Sequence, residues 1–236
     1  MSEHPGQVAS GDDSVALQVR PFTGGAFQQT GYVLRCTATG RAAVVDPGAS
    51  AGEMVAALRS EGVEGDQVEA VFLTHSHVDH VEGLAEIRAF TGAPIYLHPD
   101  ARPLFDLAPA IADRYGLPLS GTLPEPEREL VAGDPVRVGE VEFEVRMAPG
   151  HAPGHVILYA PAAGLALVGD VIFAGSIGRT DLPGGDFQEL MRSIRDAVLT
   201  LPDSTRLLTG HGPETTVGQE RMGNPFLISQ SGHGFA

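Results

Sequence analysis

His75, His77, Asp79 and His80 fall within six residues, directly after the apolar run 68–73. Imidazole nitrogens and carboxylate oxygens are the donors that hold zinc, iron or manganese. The end of a buried strand is not where solvated histidines gather. Alternate side chains of an extended segment point the same way, so His75 and His77 can grip one ion. A turn after them lets Asp79 and His80 face a second. A lone His-x-His is more often polar loop than ligand pair, so the wider pattern carries the metal reading. Three more donors each follow an apolar run: His151 after 141–147, Asp170 after 165–168 and His211 after 206–209. Four strand ends aimed at one rim would make a metal site.

The elements that must position these residues can be read from periodicity and turn chemistry. Residues 15–22 alternate Val15, Leu17 and Val19 and predict a first strand, with 1–14 before it as a loose polar arm. Strands follow at 32–36 and 42–45 across the Thr39-Gly40 turn, and the second of these delivers Asp46. Ser50 and Glu53 have capping-box spacing ahead of a helix over 50–60. Residues 68–73 form a buried strand, 82–90 a helix and 94–97 a strand. The Pro-rich stretch 100–130 reads as short helices and loop. A hairpin is expected around Gly139-Glu140, joining 136–138 to 141–147. Strands at 155–159 and 165–168 are joined by Ala162-Ala163-Gly164. Asp186, with Glu189 three residues on, opens an amphipathic helix marked by Phe187, Leu190, Met191, Ile194 and Val198. The last strand is 206–209. Strands followed by a helix thus occur in both halves, which predicts two sheets covered by helices in one domain over 15–236.

Composition narrows the function classes. The net charge is −15, Lys is absent and every basic side chain is Arg, so the basic face of a nucleic-acid binder is not expected. Cys36 is the only cysteine, which rules out an intrachain disulfide. No signal peptide or membrane-length apolar run is read, and the expectation is a cytoplasmic protein with neither nucleic-acid nor membrane partners.

The run Thr74-His75-Ser76-His77-Val78-Asp79-His80 resembles the signature of the metallo-β-lactamase superfamily, and Gly150-His151, Gly169-Asp170 and Gly210-His211 follow in that family's order. The resemblance spans about residues 17–228 and implies an α/β fold, an αββα sandwich of two mixed sheets with metals at their edges. It also implies that His75, His77 and His151 bind a first divalent metal, that Asp79, His80 and His211 bind a second, and that Asp170 bridges them. Zinc is the first expectation for both, with iron or manganese also suited. β-Lactamases of the commonest subclass carry Arg where this chain has His80, and a later Cys ligand that is missing here. Residues 148–155 and 175–181 are similar to the hydroxyacylglutathione hydrolase (glyoxalase II) and persulfide dioxygenase branch. That branch does not use the histidine matching His155 as a ligand, which leaves His155 a structural hydrogen bond.

The implied reaction is hydrolysis of a small-molecule thioester such as S-lactoylglutathione by a metal-bridging hydroxide, with Asp79 orienting it and Asp170 setting the spacing. A thiol leaves without an acid, because its pKa is only about 8.5. Lactones would serve the same chemistry. The rival within the branch is a mononuclear-iron persulfide dioxygenase using His75, His151 and Asp170; a phosphodiester hydrolase is disfavoured by the acidic balance. Asp46 reads equally as an acceptor behind a ligand imidazole or as a turn cap. Arg179 and Asp181 could touch substrate, but an ion pair that fixes their loop is as good a reading. His4, His98 and His233 read as surface or turn residues and Cys36 as core. Only 25 residues follow His211 (236 − 211), too few for the helical domain that grips glutathione carboxylates in hydroxyacylglutathione hydrolases, so weak recognition of the thiol carrier is expected.

Overall fold

The computed structural model describes residues 17–119 and 121–231, so the arm expected at 1–14 lies outside the described residues. The first six strands form one mixed sheet in chain order: β1 (Leu17–Gly24), β2 (Gln29–Cys36), β3 (Ala42–Val45), β4 (Val68–Phe72), β5 (Ile95–Leu97) and β6 (Arg128–Glu129). β1 to β3 pair antiparallel and β3 to β6 parallel. The second sheet contains β7 (Val136–Val138), β8 (Val141–Met147), β9 (Val156–Ala160), β10 (Leu165–Gly169), β13 (Arg206–Thr209) and β14 (Thr215–Thr216), in the order β14-β13-β10-β9-β8-β7. Only its β10–β13 pair is parallel. A separate hairpin of β11 (Ile172–Phe173) and β12 (Ser176–Ile177) lies between Asp170 and Arg179.

Side-chain alternation explains the layers. Tyr32, Leu34 and Cys36 of β2 point between the sheets, where they meet Phe72, Phe143, Leu158 and Leu167. Val33, from the same strand, joins the opposite face under α1 (Ala51–Ser60), α3 (Leu84–Thr91) and α4 (Arg102–Tyr115), with Met54, Leu58, Ile87 and Phe105. On the outer face of the second sheet, Ile157, Ala166 and Val168 pack under α5 (Phe187–Ser193) and the π-helical stretch that continues it, Ile194–Val198. Both faces of the central strands β2, β3, β4, β9 and β10 are therefore buried, which is why β3, β4, β9 and β10 read as near-continuous apolar runs. Helix, sheet, sheet, helix is the αββα sandwich. No helix among the described residues is long and apolar enough to cross a membrane.

Several expectations need correction. The helix expected at 82–90 starts later, as α3, and a separate short helix, α2 (Val78–Val81), precedes it; between them the Gly83 backbone lies against Pro47 and Gly48 so closely that a Cβ would overlap their carbonyls. The 100–130 stretch contains a 14-residue helix, α4, with Pro103 in its first turn and Pro109 inside it. Its buried Phe105, Ala108 and Ala112 recur at helical spacing, and that packing outweighs the proline. Ser50 precedes α1 but does not cap it, since its hydroxyl donates to the Phe22 carbonyl at 3.1 Å. Asp186 does cap α5, accepting from the Glu189 N–H at 2.8 Å. The β11–β12 hairpin and the last helices, α6 (Val217–Gly223) and α7 (Pro225–Ser231), had no clear periodic signal.

Candidate metal centre

Five strand ends open on one edge of the sandwich. Asp46 follows β3, the segment 74–80 follows β4, His151 lies just beyond β8, Asp170 follows β10 and His211 lies just beyond β13. Two contacts draw the sheets together here: the Tyr32 hydroxyl donates to the Thr209 carbonyl at 2.7 Å, and the Thr30 N–H to the Gly210 carbonyl at 2.7 Å.

All seven residues expected as ligands meet at this edge, in two groups. His75, His77 and His151 converge, with His77 Nδ1 3.1 Å from His75 Nε2 and 2.8 Å from His151 Nε2. Asp79, His80 and His211 form the second group. Asp170 lies between them: Oδ1 is 3.4 Å from His80 Nε2, and Oδ2 is 3.4 Å from His211 Nε2 and 3.5 Å from His151 Nε2. Each group draws donors from both sheets.

The outer nitrogens of four rings fix what the inner ones offer. A carbonyl oxygen only accepts, so His151 Nδ1 donates to Arg179 O at 2.8 Å and His211 Nδ1 to Phe27 O at 3.0 Å. His80 Nδ1 donates to Asp46 Oδ2 at 3.1 Å. The Thr74 hydroxyl commits its proton to Asp46 Oδ2 at 2.6 Å and accepts from His75 Nδ1 at 3.1 Å. When neutral, these four rings turn their Nε2 lone pairs inward, onto one another and onto the carboxylates of Asp79 and Asp170. His80 Nε2 and Asp170 Oδ1 are buried without a hydrogen-bond partner. Converging lone pairs and anionic oxygens repel one another unless cations or protons lie between them, and this donor set fits divalent metals.

The protonation of the chain follows from the same conflict. In the first group burial dominates, then the neighbouring imidazoles: His75 is held well below the usual histidine range and His77 is pushed down to about 3. Burial also lowers His151, against the pull of Asp170. In the second group burial again opposes the charged ring, but the carboxylates outweigh it. His80 is raised well above its ordinary value by Asp170 and Asp79, and His211 rises to about 9 through hydrogen bonds to the same two residues. Burial would raise Asp170 and Asp79, yet the His80 and His211 charges hold both carboxyls low, Asp170 far lower.

Asp46 takes the acceptor role rather than the turn-cap role. Besides the two bonds above, its Oδ1 receives the Thr74 N–H at 2.7 Å, so one carboxylate orients His75 and His80 together. Its φ of 47° is left-handed backbone, strained for a non-glycine residue and held in place by these bonds. His155 is fully buried, stacks on His75 and accepts the Asp170 N–H on Nε2 at 3.1 Å. Arg179 and Asp181 form an exposed bidentate pair at 2.7 and 2.8 Å. The Arg179 carbonyl, not its side chain, reaches the site. His98 accepts the Asp100 N–H in a turn, and Cys36 is fully buried. The carbonyls of Phe27 and Arg179 escaped sequence reasoning because a backbone acceptor leaves no mark in residue type. Glu82 escaped too; burial and the Asp79 charge push its carboxyl up to about 7.

Comparison with known proteins agrees with this geometry. The sequence profile of the metallo-beta-lactamase superfamily matches residues 24–211. The chain is 36% identical over 194 residues to hydroxyacylglutathione hydrolase GloC of Haemophilus influenzae, covering 80% of this chain and 89% of that relative. The crystal structure of TTHA1623 in a di-iron-bound form is 38% identical with a TM-score of 0.79, over 88% of this chain and 100% of that one. The BLEG-1 B3 metallo-beta-lactamase is 34% identical with a TM-score of 0.78, over 89% of this chain and 99% of that one. This chain belongs to the metallo-beta-lactamase superfamily, whose fold binds divalent metals.

Proposed function

We propose that the protein is a two-metal hydrolase that cleaves small 2-hydroxyacyl thioesters, S-lactoylglutathione among them. The observation that carries this reading is the inward convergence of His75, His77, His80, His151 and His211 around Asp79 and Asp170, with the outer nitrogens of four rings tied off. His75, His77 and His151 would hold one cation, Asp79, His80 and His211 the other, and Asp170 would contact both. Two divalent cations, when bound, supply a water acidic enough to ionise near neutral pH and a Lewis acid for the substrate carbonyl.

The chain's own residues do the rest. Asp79 stays ionised at neutral pH, so its carboxylate can accept a proton from the attacking water and orient it. Neither Ser76 nor Cys36 competes as a nucleophile: Ser76 is buried and donates to the Ala101 carbonyl at 2.8 Å, and Cys36 points into the core between the sheets. No acid is needed either, because a thiol of pKa about 8.5 departs as thiolate. The likeness to a hydroxyacylglutathione hydrolase supports the substrate class. Two arginines that could grip a charged carrier are engaged: Arg179 with Asp181, and Arg221 with Asp203 at 3.0 Å and with the Leu199 carbonyl. This favours a thioesterase that tolerates several thiol carriers. A single buried cysteine fits a reducing compartment such as the cytoplasm.

The test is metal analysis of protein purified without chelator, paired with a panel of S-lactoylglutathione, the same acyl group on a small uncharged thiol, a lactone, a β-lactam, and glutathione persulfide with oxygen. Two divalent cations per chain and hydrolysis of both thioesters at similar kcat/KM are expected. One iron with oxygen-dependent persulfide turnover, or a preference for the β-lactam, would overturn the reading.

A further inference from the structure

The segment between Asp170 and Arg179 touches donors of both groups. It begins at Asp170 and ends at Arg179, whose carbonyl orients His151. On its first strand, the Phe173 ring lies edge-on to the His211 ring, 5.8 Å between centroids and 87° between planes. Apart from Asp170, no ligand candidate is in this segment, yet two of them, His151 and His211, lean on it.

What holds the hairpin lies outside the site. Glu220, on α6, is buried, and its carboxylate accepts three hydrogen bonds: from the Gly175 N–H at the hairpin tip (2.9 Å), from the Thr215 hydroxyl (2.6 Å) and from Asn224 Nδ2 (2.8 Å). Asn224 Nδ2 also reaches the Ser176 carbonyl at 2.9 Å, so both residues of α6 and its C-terminal end grip adjacent hairpin residues. No ion pair to Glu220 is formed among the described residues. A buried carboxylate with no counter-charge is costly, and an apolar residue could fill a merely structural position more cheaply. The network instead fixes where the hairpin sits.

We propose that Glu220 is a positioning residue for the second metal group, acting through the β11–β12 hairpin and Phe173 on His211. The effect should fall on that group because His211 is the most exposed of the five candidate ligand residues that form ion-pair contacts in the two groups, with its side chain 26% accessible against 2% for His151. Its ring is steadied by the Phe27 carbonyl, the Phe173 and His80 rings, and its Asp79 and Asp170 neighbours. The inference rests on the two-metal reading proposed above.

The experiment titrates cobalt(II) into chelator-stripped full-length protein and follows visible absorption, with circular dichroism as the check on folding. Wild type should bind two ions. Glu220→Ala should keep the first ion at wild-type affinity and bind the second about tenfold more weakly, the low end of what losing an outer hydrogen-bond partner costs a metal site. Glu220→Gln should restore the second site, since its amide oxygen can serve Gly175 and Asn224 while its NH2 donates to Thr215. Phe173→Ala leaves the network intact and should weaken the second ion likewise; if Glu220→Ala fails to fold, this variant decides. Two ions bound by Glu220→Ala and by Phe173→Ala with wild-type affinities, or equal weakening of both ions, would overturn the inference alone. A wild-type protein that takes up only one ion would overturn the two-metal reading and this inference with it.

Discussion

Loading the two metal groups should release different numbers of protons. In the metal-free chain at pH 7, His75, His77 and His151 are neutral, so a cation entering the first group displaces no proton. His80 and His211 are protonated, and both must lose that proton to offer Nε2. With His211 at about 9, pH 7 is about two units below its titration, and removing that proton costs on the order of 3 kcal/mol. The sign is fixed: a cation competes with protons only where the folded chain binds them. Affinity of the second group should therefore rise as pH rises towards 9, by up to about a hundredfold per unit for two protons, while the first group stays flat from pH 7 upward. Isothermal calorimetry of zinc binding to stripped protein, repeated in buffers of different ionisation enthalpy, counts the protons. About zero for the first event and about two for the second are expected, with one more if a bound water ionises. Equal release by both events, or release by the first alone, would refute the assignment of neutral and charged rings.

Three substitutions test the same geometry. Gly210 has no room for a Cβ, which would overlap Asp170 Oδ1 and press on His80 Cε1, so Gly210→Ala should cut turnover at least about a hundredfold with the circular dichroism spectrum kept. Asp170→Ala should abolish most activity, about a thousandfold or more, and lower metal content to about one ion by mass spectrometry, with the fold intact. His155→Ala orphans the buried Asp170 N–H and opens a cavity beside His75; a loss of about 3 kcal/mol in urea unfolding is expected, with two metals retained. If His155→Ala strips metal and His151→Ala does not, the choice between these two histidines is wrong.

Residue type and periodicity carried the second sheet well: the hairpin at Gly139-Glu140 and the strand at 206–209 occur where the pattern puts them. The seven donor positions were legible because each follows an apolar run, and the runs end on one edge. Which group His151 and His211 join came from resemblance, since spacing alone does not place residues 74 apart in one cluster. Local rules failed where tertiary contact decides. Ser50 has cap chemistry, but the Phe22 carbonyl was a nearer acceptor for its hydroxyl. Gly83 looked like helix interior until Pro47 and Gly48 pressed on it. Two-residue strands such as β11 and β14 are too short to show a period of two at all.

Each candidate metal group takes donors from both sheets, so bound ions would form a clasp on one end of a sandwich otherwise closed by Phe72, Phe143, Leu158 and their neighbours. With both groups loaded, the sheets could not part at that edge without surrendering the cations, so free energy of metal binding would also be free energy of folding. On that reading, metal supply would set how long the chain lasts as well as whether it turns over. A cell short of the metal would hold a protein whose strand ends open more often, and proteolysis starting at that rim would remove the idle molecules first.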